Sequence, residues 1–280
     1  ESTLGAPIEA AVPVAGGDIN QAIRIEVRGH PYFVKFHAPP PPQMFHQEAM
    51  GLKYLADTCT LPVPAVVAVG EDFLLLEWIS QAPRKREFDV QLGEGLAALH
   101  GALADEADTG YEGFGFQEDN FIGTLPQKNP KTHDWVAFFG ESRLGTQLAI
   151  GRKRGTLDRE FCTRGERLIA RLSNHLPAHP KAALLHGDLW SGNVMSCADG
   201  GPVLIDPAVY RGHREIELAF TRLFGGFGET FYAAYEETWP LDAGFPARID
   251  LYNLYPILVH ANLFGGHYIA RADQVIRAYL

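Results

Sequence analysis

The sequence contains little cysteine, no long apolar run and no excess of positive charge. Its 280 residues include 3 cysteines, Cys59, Cys162 and Cys197, none of which forms a C-x-x-C pair. Cysteines that are so few and so far apart argue against a disulfide framework and against a zinc site, and they are typical of reduced thiols in a cytosol-like compartment. We therefore expect a cytoplasmic protein.

The apolar segments are too short to cross a membrane. The run at residues 73–76 ends at Glu77, whereas a spanning helix needs roughly 18 apolar residues. The 24 lysines and arginines are outnumbered by 34 aspartates and glutamates, which gives a net charge of −10. Nucleic-acid-binding proteins usually present a basic field, so we expect neither a membrane nor a nucleic-acid partner. An acidic protein that binds an anionic ligand must neutralise it locally, with a lysine or a divalent cation.

Length and pattern together predict two lobes. An apolar fraction of 46% and a charged fraction of 21% are those of an ordinary globular protein. Residues 1–80 are rich in strand patterns, with a hairpin over 22–37 and a helix over 44–57, and they form the predicted N-terminal β-rich lobe. Residues 81–280 are mostly helical, with long helices predicted over 215–238 and 249–279. We therefore predict an α+β fold.

Two charged residues stand where the pattern calls for apolar ones. Alternation over residues 32–37 places Lys35 in the middle of an apolar strand, and Glu48 shares a helical stripe with Phe45 and Leu52. A buried charge without a partner costs several kcal/mol, so the simplest solution is an ion pair between Lys35 and Glu48. The alternative is that Lys35 extends into solvent from an edge strand while Glu48 lies at the rim of its helix.

A second conflict of this kind lies in residues 184–193, which read LLHGDLWSGN. Asp188 and Asn193 have the D-x-x-x-x-N spacing of a kinase catalytic loop, and the strand predicted over 203–205 ends at Asp206. Each piece alone is compatible with an ordinary turn. Together the pieces follow the order of parts in a kinase: a lysine on a strand, a glutamate on the next helix, this loop, and then an aspartate at the end of a strand. The sequence therefore predicts a phosphotransferase.

The sequence resembles the fructosamine kinase, or ketosamine-3-kinase, family of small-molecule kinases with a protein-kinase-like fold. The resemblance covers nearly the whole chain. It rests on the segments HGDLWSGN at 186–193, LIDPA at 204–208, YRGHRE at 210–215, LFGGF at 223–227, LYNLYP at 251–256 and NLFGG at 262–266. The W-S-G-N ending favours this family over aminoglycoside and choline kinases, which share only the sparser Asp and Asn pattern. The resemblance implies a bilobal architecture with ATP between the lobes.

The resemblance also implies roles for individual residues. Asp188 matches the catalytic base, and Asn193 and Asp206 match the ligands of Mg²⁺. Lys35 and Glu48 match the ion pair that positions the phosphates of ATP. Gly16, Gly17 and Asn20 match the short loop that covers the phosphates of the nucleotide. Glu77, Trp78 and Ile79 match the segment between the lobes whose backbone hydrogen-bonds the adenine.

The implied acceptor is the 3-hydroxyl of the sugar in a fructosamine or related ketosamine, small or protein-bound, and the implied role is deglycation through breakdown of the unstable product. Trp190 is either an apolar floor under that sugar or a core anchor. Asp134 and Arg143 either line the acceptor cleft or lie on a solvated helix face, and we favour the solvated face. We expect His186 to order the catalytic-loop backbone rather than to shuttle protons.

Two other functions stay open at this point. One is an aminoglycoside-type or other small-alcohol phosphotransferase. The other is a catalytically inactive, nucleotide-binding scaffold, although such a scaffold is expected to have lost the lysine, the base or a metal ligand, and all are present here. Pro207 follows Asp206 where a Phe-Gly pair would mark a flexible switch. We therefore expect no phosphorylated activation loop and a permanently assembled site.

Overall fold

The computed structural model of the protein describes residues 4–14, 20–102 and 111–280. Its N-terminal part is an antiparallel sheet with the strand order β1-β2-β3-β5-β4. The strands are β1 (Ala10–Pro13), β2 (Gln21–Val27), β3 (His30–Phe36), β4 (Val66–Val69) and β5 (Phe73–Glu77). Arg28 and Gly29 join β2 to β3 with φ of 52° and 71°, as a type I′ hairpin turn requires. The predicted hairpin is confirmed.

Helix α1 (Met44–Asp57) packs on this sheet. Phe45 and Leu52 form one apolar cluster with Leu74 and Leu76 of β5. Because Glu48 occupies the same stripe of the helix, its side chain is held near the sheet and is only 11% exposed. The predicted helix has the bounds that the pattern indicates.

The C-terminal part is built mainly from helices. They are α2 (Phe88–Gly101), α3 with its segments Trp135–Ala137, Phe138–Gly145 and Thr146–Arg154, α4 (Arg159–Ile169), α5 (Arg214–Leu223), α6 (Glu229–Thr238), α7 (Phe245–Phe264) and α8 (His267–Ala278). The middle segment of α3 is π-helical. Three short two-stranded antiparallel sheets lie in the connections between these helices. They pair β6 (Asn120–Ile122) with β7 (Leu125–Gln127), β8 (Ala182–Leu185) with β11 (Tyr210–His213), and β9 (Val194–Ser196) with β10 (Pro202–Leu204).

The two long helices predicted from the sequence are wrong, because each is broken by a pair of glycines. Gly225 and Gly226, with φ of 72° and 94°, separate α5 from α6. Gly265 and Gly266, with φ of 66° and 61°, separate α7 from α8. Glycine adopts this left-handed conformation without the steric cost that other residues bear, and it ends a right-handed helix. Because the helical spacing of apolar residues continues across both breaks, this spacing alone does not reveal them.

The main core lies beneath the loop that follows β8. Leu96 of α2, Leu185 of β8 and Leu258 of α7 are all fully buried in it. The last strand of the large sheet ends at Glu77, and α2 begins at Phe88. The predicted lobe boundary at residue 80 falls in the connection between them and stays a prediction. In the described part of the chain, every helix is too short or too polar to span a bilayer.

Candidate active site

Lys35 and Glu48 form the predicted ion pair. The Nζ of Lys35 on β3 lies 3.0 Å from both carboxylate oxygens of Glu48 on α1. The same Nζ lies 3.1 Å from Oδ1 of Asp206, which comes from the other lobe. Lys35 is 8% exposed, so the alternative in which it extends into solvent is wrong.

The electrostatics of this pair keep a positive charge in the cleft. Burial alone would lower the pKa of the Lys35 amine, but the carboxylates of Asp206 and Glu48 raise it above its ordinary value. Burial raises the pKa of the Glu48 carboxyl, and the Lys35 ammonium opposes that rise. The Lys35 ammonium therefore stays charged at the junction of the two lobes, where it can donate to a phosphate oxygen once a divalent cation offsets the neighbouring carboxylates.

The loop after β8 carries Asp188 and Asn193. Nδ2 of Asn193 donates to the backbone carbonyl of Asp188 at 2.8 Å and to its Oδ2 at 3.1 Å. Burial first, and then the nearby Asp206 carboxylate, raise the pKa of Asp188 to about 7. A buried carboxyl with a second carboxylate nearby is a place where a cation is favourable.

Asp206, which contacts Lys35, has an unusual backbone conformation. Its φ is 55°, a value that few residues other than glycine adopt, and such strain persists only where the surroundings impose it. Backbone hydrogen bonds flank it, since the Ile205 amide donates to the Asn193 carbonyl at 3.1 Å and the Ala208 amide donates to the His186 carbonyl at 2.8 Å. The two loops are thus joined on both sides of Asp206.

The donor set fits a magnesium ion that is shared with phosphates. Asp206 supplies a carboxylate and Asn193 an amide oxygen, which are the hard oxygen ligands that Mg²⁺ prefers. Among the described residues, no three His, Cys, Asp or Glu side chains group into a self-sufficient metal site. Mg²⁺ is usually bound by one or two carboxylates together with substrate phosphates and water, so a small donor set is what it requires.

His186 orders the backbone of the loop that carries Asp188, as expected. Its Nε2 lies 2.9 Å from the carbonyl of Ile205, and its Nδ1 accepts from the Asp188 amide at 3.3 Å. Burial lowers the pKa of His186, so the ring is neutral. A single tautomer, with the proton on Nε2, satisfies both contacts.

Glu217, the residue that anchors this loop, was not predicted from the sequence. Its carboxylate on α5 accepts hydrogen bonds from the backbone amides of His186 at 3.0 Å and Gly187 at 2.6 Å, and from Nε2 of His100 at 2.9 Å. Burial would raise the pKa of Glu217, but the hydrogen bond from His100 and its other partners lower it. The available signal was an acidic residue between Ile216 and Leu218 in an amphipathic helix, the same conflict that revealed Glu48.

Gly187 has a steric reason for being glycine. Its φ is +85°, and a Cβ at this position would lie 2.0 Å from the carbonyl oxygen of Ala208. The loop that carries Asp188 therefore approaches the Asp206 segment more closely than any side chain allows.

The predicted nucleotide contacts are described only in part. Gly16 and Gly17 lie outside the described residues, and Asn20 has a buried Oδ1 without a hydrogen-bond partner in the part of the chain that is described. The Glu77 amide donates to the Ala65 carbonyl at 3.0 Å, whereas the Ile79 amide makes no hydrogen bond to any described residue. Trp78, which lies between Glu77 and Ile79, has the guanidinium of Arg24 at 5.4 Å from its ring centre.

The three residues predicted as possible contacts of the acceptor lie in three different environments. Trp190 is 38% exposed and meets the ring of Phe224 edge-on at 6.2 Å, so its interpretation as a core anchor is wrong. Asp134 is exposed and caps α3, where it accepts from the Ala137 amide at 3.0 Å. Arg143 is fully buried, so it lies neither on a solvated helix face nor on an open cleft.

Comparison with known proteins shows the family of this chain. A sequence model of the family described as fructosamine kinase matches residues 1–280. The chain belongs to the fructosamine kinase family. It is therefore an ATP-dependent phosphotransferase with an alcohol acceptor, and the resemblance found in the sequence is confirmed.

Relatives of the family cover nearly the whole chain. A ketoamine kinase candidate from Synechocystis is 40% identical over 99% of this chain and 93% of that protein. The chloroplastic protein-ribulosamine 3-kinase of Oryza sativa subsp. indica is 39% identical over 95% of this chain and 78% of that protein.

Solved structures confirm the two-lobed, protein-kinase-like α+β fold. A fructosamine-3-kinase candidate from Thermobifida fusca is 35% identical and superposes with a TM-score of 0.86, covering 98% of this chain and 94% of that one. A thermostable variant of an aminoglycoside phosphotransferase shares the fold at 18% identity and a TM-score of 0.60, covering 97% of this chain and 95% of that one.

Proposed function

We propose that this protein transfers the γ-phosphoryl group of magnesium-bound ATP to the 3-hydroxyl of the sugar in a ketosamine. The observation that supports this most directly is the 3.1 Å contact between Lys35 Nζ and Asp206 Oδ1. It brings the lysine of the N-terminal sheet and the carboxylate of the C-terminal part into one cleft, next to Asp188. Phosphoryl transfer depends mainly on such positioning and on charge neutralisation.

Each side chain of the cleft then has one task. Lys35, oriented by Glu48, binds the phosphates of ATP, and Asp206 and Asn193 hold Mg²⁺. Bound Mg²⁺ supplies the positive charge that an acidic protein needs beside ATP. Asp188 accepts the proton of the acceptor hydroxyl, whose oxygen forms a bond to the γ-phosphorus while the bond to the leaving ADP oxygen breaks.

The acceptor binds beside Asp188, where two exposed aromatic side chains meet. Trp190 lies two residues after Asp188, and Phe224, at the end of α5, is like Trp190 38% exposed. Aromatic faces bind the apolar faces of sugars while the hydroxyl groups stay free to react. Relatives named ketoamine kinase and protein-ribulosamine 3-kinase support a ketosamine, small or protein-bound, over an aminoglycoside. The unstable 3-phosphate would break down, so the role we propose is deglycation, in the cytoplasm.

A panel of acceptors tests this function. The protein is incubated with Mg²⁺, ATP and one of fructosyl-lysine, ribulosyl-lysine, a glycated peptide, an aminoglycoside or choline, and the product is located by ³¹P NMR. We expect a phosphate on the 3-hydroxyl of the ketosamines. Transfer to the aminoglycoside or choline alone would replace the proposed function with the small-alcohol alternative.

A further inference from the structure

A cluster of buried polar side chains lies behind the Asp206 segment, and the proposed function uses none of them. Each is at most 5% exposed, and they are Asn120, Gln127, Asn129, Arg143 and Tyr255. We call them the amide cluster. Burying a polar group without a hydrogen bond costs several kcal/mol, and among the described residues only Nε of Arg143 lacks a partner within this cluster, so the rest of the network is satisfied and is expected to be rigid.

Two amides of the cluster hold the backbone just after Asp206. Nε2 of Gln127 donates to the carbonyl of Ala208 at 3.0 Å, and Nδ2 of Asn120 donates to the carbonyl of Val209 at 2.8 Å. The opposite edge of the segment is held by the amide of Ala208, which donates to the loop of Asp188. The chain that follows Asp206 is therefore fixed on both edges.

The direction of these hydrogen bonds is set at Arg143, because a guanidinium can only donate. Arg143 donates to Oδ1 of Asn129 at 2.9 Å, which turns Nδ2 of Asn129 toward Oδ1 of Asn120, also at 2.9 Å. Asn120 must then present its Nδ2 to the backbone. Likewise the Tyr255 hydroxyl donates to Oε1 of Gln127 at 2.7 Å, so Gln127 presents its Nε2.

The hairpin of β6 and β7, which carries Asn120 and Gln127, also contacts α1. Phe121 packs against the apolar cluster of Met44 and Phe45. Just before the hairpin, Glu118 accepts a hydrogen bond from Nε2 of Gln47 at 2.7 Å. One hairpin therefore touches both the helix of Glu48 and the segment of Asp206.

We infer that Gln127 and Asn120 are positioning residues, which hold Asp206 in its left-handed conformation and so fix its carboxylate beside Lys35. The inference rests on the proposed function for the metal-binding role of Asp206. It gives a physical reason for the expectation that the site needs no phosphorylated activation loop, because the amide cluster would supply the contacts that such a loop otherwise creates.

Gln127→Glu tests this inference, because it replaces the Nε2 donor by an oxygen at almost unchanged volume, and that oxygen faces both the carbonyl of Ala208 and Oδ1 of Asn120. We expect hydrogen exchange of the peptide 206–209 to rise about tenfold in the ligand-free protein, and the affinity for ADP in the presence of Mg²⁺ to fall about tenfold. Gln274→Glu, the same substitution at an exposed position on α8, is the matched control. Tyr255→Phe, which removes only the donor to Gln127, should change both quantities in the same direction by a smaller factor.

The outcomes separate the inference from the proposed function. A folded Gln127→Glu or Tyr255→Phe protein whose exchange and ADP affinity match those of Gln274→Glu would overturn the inference. If Gln127→Glu does not fold, Tyr255→Phe decides by the same two quantities. If both change as expected but the unaltered protein phosphorylates no ketosamine, the positioning role stands and the proposed acceptor is wrong.

Discussion

The Asp188→Asn protein is expected to lose roughly 100-fold or more in kcat, the scale for removal of a general base. An amide cannot accept the proton of the acceptor hydroxyl, although it preserves the size of the side chain and can still accept the hydrogen bond from Asn193. Nucleotide binding should change little, because Lys35 and Asp206 are untouched. Initial rates with a saturating ketosamine, together with ADP binding by calorimetry, measure the two effects separately.

Asp199→Asn is the matched control, since this aspartate lies in the turn between β9 and β10 and is 70% exposed at its side chain. It should retain the kcat of the unaltered protein. Equal, low ATP consumption by the unaltered protein and by Asp188→Asn with every acceptor would support the inactive scaffold and contradict the proposed reaction.

Glu217→Gln should lower the free energy of unfolding by about 2 kcal/mol or more, and kcat should fall with it. The carboxylate of Glu217 now accepts hydrogen bonds from three buried N–H groups, those of His186, Gly187 and His100. In either orientation of the new amide, its NH₂ group faces at least one of these donors. A buried donor left without an acceptor costs about 1–3 kcal/mol. Because two of these donors are backbone amides of the loop that carries Asp188, we expect the position of Asp188 to change as well.

Denaturant unfolding with an unchanged m-value measures the loss of stability. Glu236→Gln, at an exposed position on α6, should stay within about 0.5 kcal/mol of the unaltered protein. If Glu217→Gln were as stable and as active as Glu236→Gln, the loop would not be anchored through α5.

The residues that could be predicted from the sequence are those whose chemistry conflicts with a local period. Lys35 interrupts the alternation of a strand, and Glu48 interrupts the apolar stripe of a helix. The two residues are only thirteen positions apart in the chain, and one buried ion pair between them accounts for both conflicts. Asp188 and Asn193 are adjacent through a single short loop, so their spacing alone indicates their contact. Glu217 shows the same conflict as Glu48, but its partners lie thirty and more residues away, and no local pattern names them.

Arg143 could not be placed from the sequence, for two physical reasons. It lies in the π-helical segment Phe138–Gly145, where the longer turn shifts each residue away from the face that a period of 3.6 assigns. Its partners also come from distant elements, since its guanidinium donates to Asn129 and lies 3.8 Å from the ring centre of Tyr210. Burial of an arginine depends on such partners, and a helical pattern contains no information about them.

Crystals grown with Mn²⁺ in place of Mg²⁺ and a non-hydrolysable ATP analogue test the central claim most directly, because anomalous scattering locates the metal without assumptions about its ligands. We predict that the metal is bound by oxygens of Asp206 and Asn193, with Lys35 on the phosphates and Asp188 facing the terminal phosphate. A metal and nucleotide bound elsewhere, with Lys35 still paired to Asp206 and no phosphate between the lobes, would contradict the account.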